Sequence, residues 1–176
     1  MGKSVLEENV LKHFLAIDLC LEKSLLMPAL VLIYNGIDTF AALNREATKE
    51  KVTWQDFVAW CDRYLIPSSN LGCNGQDLYA ARCGILHTYT AVSSDLIKKG
   101  KAAEIYYYLG KVEKEKYQKI IDSKYPWKVV IVSLEDLDKA FKTGYFSFMD
   151  DIKKDSQTES LVYERARYFF LDRPAM

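Results

Sequence analysis

Arg82 and His87 stand five positions apart in the stretch Asp77-Leu-Tyr-Ala-Ala-Arg-Cys-Gly-Ile-Leu-His-Thr-Tyr89. An imidazole takes or gives a proton near neutral pH. A guanidinium presents a rigid cationic fork that suits phosphate oxygens. Without a metal, the two could run in-line attack of a ribose 2′-hydroxyl on the adjacent phosphate, the histidine moving protons and the arginine stabilising the phosphorane. Arg82 could instead pair with Asp77 or Asp38, and His87 could be a satisfied core histidine.

The element that must carry them is a helix over 76–94. On a wheel of about 100° per residue, Leu78, Ala81, Ile85, Tyr89 and Val92 form one apolar stripe. Arg82 sits on its shoulder and His87 on the far side. Around His87 lie Ala80, Cys83, Gly84 and Ala91, all small, and no Lys or Glu occurs between Asp77 and Asp95. Small residues admit close approach, so this face is expected to meet the same helix of a second subunit across a twofold axis. A five-residue step turns by about 140° and rises about 7.5 Å. Either Arg82 curls round, or the working set is assembled from both subunits.

Further segments complete the frame. Ser4 reads as the N-cap of a helix over 4–26 with Val5, Leu11, Leu15, Leu19 and Leu26 as its stripe. Pro28 suits a first helical turn and starts a helix over 28–44, apolar nearly all round and therefore central. On it Asn35 and Asp38 lie three apart, either the polar edge of a buried helix or a carboxylate facing a cleft. Thr53 and Asp56 make a weak capping box for a helix over 53–66, its apolar set Trp54, Phe57, Val58, Cys61, Tyr64 and Leu65, stopped by Pro67. The runs Ile105–Leu109 and Lys128–Ser133 read as strands able to pair as a β-ribbon around 105–133, with a charged, potentially helical stretch over 111–122 between them. A helix over 134–152 carries Leu134, Leu137, Phe141, Tyr145, Phe148 and Met149 on one stripe, weakened at Gly144. Thr158 leads a closing helix over 158–170. The predicted class is mainly α, an up-and-down helical bundle with a small β-ribbon elaboration, residues 1–176 forming one domain.

The chain has 24 Lys+Arg against 24 Asp+Glu, 49% apolar side chains, 8 Gly and 4 Pro. This excludes a disordered tail and a strongly basic nucleic-acid glue, and argues against a turn-rich β-sandwich. Locally the charge is uneven, for residues 95–128 hold 9 basic and 5 acidic side chains. Lys98, Lys99 and Lys101 open that stretch, as a solvated face or as a site that attracts phosphate. Cys20, Cys61, Cys73 and Cys83 form no C-x-x-C pair and the histidines are His13 and His87, so no metal cage is expected. No Gly-rich phosphate loop, serine elbow or H-E-x-x-H pair occurs, and no cofactor is expected. No signal peptide or myristoylation signal is legible, and the longest apolar run, Leu25–Tyr34, is about half a membrane span. The expectation is a reduced, cytoplasmic protein with no membrane partner.

Arg82-Cys-Gly-Ile-Leu-His87 in mid-helix, within a helical domain of this size, resembles the HEPN superfamily, whose members share an R-x(4–6)-H motif. The phrase Asp77–Tyr89, with Tyr34-Asn-Gly-Ile-Asp38 upstream, is also similar to a group of bacterial proteins of that type. The resemblance covers residues 4–94. It implies a bundle that dimerises through the motif helices, and a metal-independent endoribonuclease leaving 2′,3′-cyclic phosphate ends, with Arg82 and His87 catalytic. Many members place a polar residue straight after the arginine, where this chain has Cys83, and other members bind or scaffold without cleaving. Two readings follow. One is a homodimeric endoribonuclease acting on RNA, with Asp38, Lys98, Lys99 and Lys101 binding substrate and an antitoxin as a possible protein partner. The other is a non-catalytic dimeric module that binds a nucleotide or a protein.

Overall fold

The computed structural model describes residues 2–88 and 94–167. Among these residues the chain forms eight α-helices and two strands: α1 (Gly2–Glu22), α2 (Leu26–Asn44), α3 (Trp54–Trp60), α4 (Gly75–Thr88), α5 (Ser94–Lys98), β1 (Glu104–Tyr108), α6 (Lys114–Lys124), β2 (Val129–Ser133), α7 (Leu134–Ile152) and α8 (Ser156–Ala166). The class is mainly α with one small sheet, as the patterning predicts. Beyond Trp60, α3 runs into a π-turn at Cys61–Leu65 and a 3-10 turn at Ile66–Ser68. Pro67 has no N–H to extend an α-helical ladder.

The apolar circumference of α2 makes it the centre, packed by α1, α3, α4, α7 and α8. By length and hydropathy α2 is long and apolar enough to cross a membrane, but most of it is buried inside the protein. Phe40 on α2 meets the rings of Trp60, Phe141, Tyr145 and Phe148 with centroids 5.0–6.2 Å apart. The stripe expected on α7 is buried throughout. Two glycines make these contacts possible. A Cβ on Gly36 would overlap Phe141 Cζ and stand 3.0 Å from His13 Nε2, and one on Gly144 would stand 3.2 Å from the Tyr64 carbonyl oxygen. The residue that weakens α7 by propensity therefore lets it approach the π-turn. His13, half-buried, donates from Nε2 to the Leu32 carbonyl at 2.9 Å, and burial lowers its pKa against the pull of that bond.

The face of α1 differs from the expected one. Leu6, Val10, Phe14 and Ile17 are buried, while Val5, Leu11, Leu15 and Leu19 are 47–61% exposed. The helix is apolar on two sides, and its partners choose between them. Ser4 lies inside α1 and does not cap it, since the helix already runs from Gly2. The helix ends in a Schellman arrangement, Leu25 N–H bonding the Cys20 carbonyl and Ser24 N–H that of Leu21, with Ser24 left-handed at φ 56. The capping box of α3 is present, the Asp56 carboxylate accepting from Thr53 N–H at 2.8 Å. In that segment Trp54 is exposed, and Trp60, outside the expected apolar set, is fully buried. For α8 the cap is Asp155 rather than Thr158; it accepts from Gln157 and Thr158 N–H. Arg165 of α8 reaches back to the carbonyls of Leu43, Arg45 and Glu46, satisfying the open C-terminal end of α2.

β1 and β2 do pair, and they pair in parallel, Glu104 opposite Val129 and Tyr108 opposite Ser133. Parallel neighbours require a crossover, which the charged stretch supplies as α6. A hydrogen bond between the hydroxyls of buried Tyr34 and half-buried Tyr107 ties β1 to α2.

Candidate functional site

α4 is anchored at its start by a reciprocal cap. Asp77 N–H donates to Asn74 Oδ1 at 3.0 Å, and Asn74 N–H to Asp77 Oδ2 at 3.1 Å. Asp77 Oδ1 also accepts from Ala103 N–H at 2.7 Å, which ties the helix to the loop before β1. Asp77 is thereby engaged by backbone, and it is Asp38 that pairs with Arg82. Leu78, Ala81 and Ile85 are buried as expected. Tyr89, Ala91 and Val92 lie outside the described residues.

Arg82 curls round the helix. Its Nε donates to Asp38 Oδ2 at 2.8 Å, its Nη2 stands 2.8 Å from the same oxygen as an ion pair, and its Nη1 lies 3.5 Å from His87 Nε2. The last distance is the outer limit of a hydrogen bond. A guanidinium only donates, so a hydrogen bond between them requires Nε2 as the acceptor. The Asp38–Arg82 pair is half-buried, with side chains 28% and 23% exposed. Burial pushes the Asp38 carboxyl above the ordinary value, against the opposing pull of Arg82 and His87. Burial also works against the Arg82 charge, but Asp38 outweighs it and the guanidinium is held more firmly protonated. One carboxylate from α2 thus aims one arginine of α4 toward an exposed imidazole.

One neighbour, Tyr79, was not anticipated. Cys83 lies beside Tyr79 and Arg82, close enough to act on both charges. Tyr79 in turn packs on Phe57 and on the exposed Trp54, with centroids 5.5 and 6.2 Å away. The signal for Tyr79 was its i−3 and i−4 spacing from Arg82 and Cys83.

The small-residue face is filled in part by the chain itself. Ala80 and Gly84 are buried within a single copy, where α4 packs on α2, α3 and β1. This corrects the idea that the whole face needs a twin helix to cover it; the part left open is the edge bearing half-buried Cys83 and exposed His87. The lysines are not brought to this edge. Lys98 and Lys101 line a cavity of about 530 Å³ with Asn74 and Asp77, at the opposite end of α4. Ten residues separate Asp77 from His87, about 15 Å along the helix. Lys99 is exposed and outside that lining. The structure therefore joins Arg82, His87 and Asp38 and separates all three from Lys98 and Lys101.

All four cysteines are free thiols. Burial pushes Cys61 well above its ordinary pKa and Cys73 up to about 12, which disfavours the thiolate at both. Among the described residues no three His, Cys, Asp or Glu side chains cluster as a metal site. Compared with family models, with curated proteins and with solved structures, the chain finds no match.

Proposed function

We propose that this protein is a HEPN-like, metal-independent endoribonuclease that acts on RNA as a homodimer. The observation that carries the reading is the approach of Arg82 Nη1 to His87 Nε2, 3.5 Å apart at an exposed edge of α4. Side chains rooted about 140° apart on the helix converge on one spot, and Asp38 holds the arginine there from behind. A phosphodiester seated at that spot accepts from Arg82 Nη1. His87 Nε2 takes the 2′-hydroxyl proton as O2′ bonds to phosphorus. The bond from phosphorus to O5′ breaks, a protonated second His87 of the dimer supplies the proton to the leaving oxygen, and a 2′,3′-cyclic phosphate remains. Arg82 stabilises the charge that builds on the phosphorane, and Asp38 is a positioning residue. The open edge at Cys83 and His87 is the place for the twin to dock. Lys98, Lys99 and Lys101 have no part in this step.

The test is incubation of purified protein with structured and unstructured RNA in EDTA. Cleavage that disappears in His87→Ala, from a protein that sediments as a dimer, supports the reading. No cleavage by the parent, or cleavage that persists in the variant, refutes it. One observation favours the second reading, a non-catalytic dimeric module. Asp38 already occupies two of the three guanidinium nitrogens, leaving Nη1 for a ligand. Binding of nucleotide or RNA without cleavage, lost in Arg82→Ala, would select that reading.

A further inference from the structure

We propose that the cavity at the start of α4 binds a nucleotide unit, its base against Trp127 and its phosphates among Lys98, Lys101 and Lys128. The cavity holds about 530 Å³, within the range of small-ligand sites. Its wall gathers three lysines from separate segments: the end of α5, the loop that follows, and the residue before β2. None of the three forms an ion pair with a described carboxylate.

The acidic groups beside them are already engaged. Asp77 accepts backbone N–H from Asn74 and Ala103. Glu104, 3% exposed, accepts from Trp127 Nε1 at 2.7 Å. That bond also pins the indole, which is 42% exposed and has Tyr125 on it at a centroid distance of 5.6 Å. The start of α4 contributes little positive potential, since Asn74 and Asp77 cap it. The cationic field comes from the lysines, and salt is expected to screen it.

A pinned aromatic plane bordered by uncompensated cations is what holds a base and its phosphate together. Inorganic phosphate would leave the indole unused, and a bare nucleoside would leave the lysines unused. The same chemistry serves a free nucleotide or one residue of a single strand. The site lies about 15 Å along α4 from His87, so it stands whether or not Arg82 and His87 cleave RNA.

The test titrates the full chain at low salt with ATP, followed by calorimetry, and with a short fluorescent 2′-O-methyl oligoribonucleotide, followed by anisotropy. The methylated strand cannot be cut by attack of its own 2′ oxygen. The proposal expects saturable binding in at least one arm, weakened by added salt, and lost about tenfold or more in Trp127→Ala and in Lys101→Glu/Lys128→Glu. Binding of ATP identifies a free nucleotide as the ligand, and binding of the strand alone identifies a nucleic acid. Trp127→Phe keeps a ring and most of the affinity, which separates lost stacking from lost folding. No saturable binding in either arm, binding indifferent to the lysine reversals, or pyrophosphate binding as tightly as ATP overturns the proposal.

Discussion

The Asp38–Arg82 pair bears on both stability and function, and a double-mutant cycle of Asp38→Asn and Arg82→Gln measures it. Two unit charges about 4 Å apart attract by about 1 kcal/mol in water and about 4 kcal/mol at an effective dielectric constant of 20. The side chains are 28% and 23% exposed, so the pair lies between these limits. Ordering two side chains and desolvating the carboxylate offset part of the gain. The coupling expected from the cycle is about 1–2 kcal/mol. Urea unfolding of the four proteins at neutral pH gives it directly. Each single variant should lose about that amount, and the double variant little more than either, with a fall in Tm of roughly 3–6 °C for a chain of this length. Because the pair is half-buried, moderate salt should remove only part of the coupling. If the proposed chemistry holds, Asp38→Asn also slows RNA cleavage about tenfold, as expected for a misaimed transition-state donor. A coupling within about 0.3 kcal/mol of zero would refute the reasoning, because Asp38 would then not hold Arg82 in place.

Three further outcomes follow from the packing and caps. Gly36→Ala gains about 1 kcal/mol in helix propensity, but it pushes a methyl into Phe141, which is caged by Phe14, Phe40 and Trp60. A net loss of about 1–2 kcal/mol is expected, and a variant that melts with the parent contradicts the packing. Asp56→Asn should cost about 1 kcal/mol at neutral pH through the α3 cap. Burial raises the Asp56 carboxyl, but bonds from Thr53 and Lys49 outweigh it and hold the folded-state pKa below the ordinary value. Its stabilisation is therefore complete above the unfolded pKa and is lost as pH falls through the folded one. The gap between parent and variant should close below about pH 4 in a stability-versus-pH series. Ser24→Gly should raise stability by about 1 kcal/mol, since Ser24 holds a left-handed conformation at φ 56; a lower unfolding midpoint would count against a strained cap.

Local chemistry made most elements legible. The α7 stripe, the Thr53–Asp56 box, the place of Pro28 in a first turn and the two strand-like runs are short-range patterns, and the folded chain keeps them. The pairing of Arg82 with His87 was legible as a spacing. Its geometry was not, because a helix alone points the two about 140° apart, and only Asp38, contributed by α2, turns the guanidinium onto the imidazole. α1 shows the same limit. With apolar residues on two sides it has no preferred face, and contact with the α2 and α7 layer decides that Leu6, Val10, Phe14 and Ile17 go inside. The lysines of one charge-rich stretch were separated from the arginine they were expected to assist, because the loop before β1 is bound to the start of α4 rather than its end. Residue types and their local periods are written along the chain, whereas the direction of a long side chain and the meeting of distant segments depend on partners that only the packed molecule supplies.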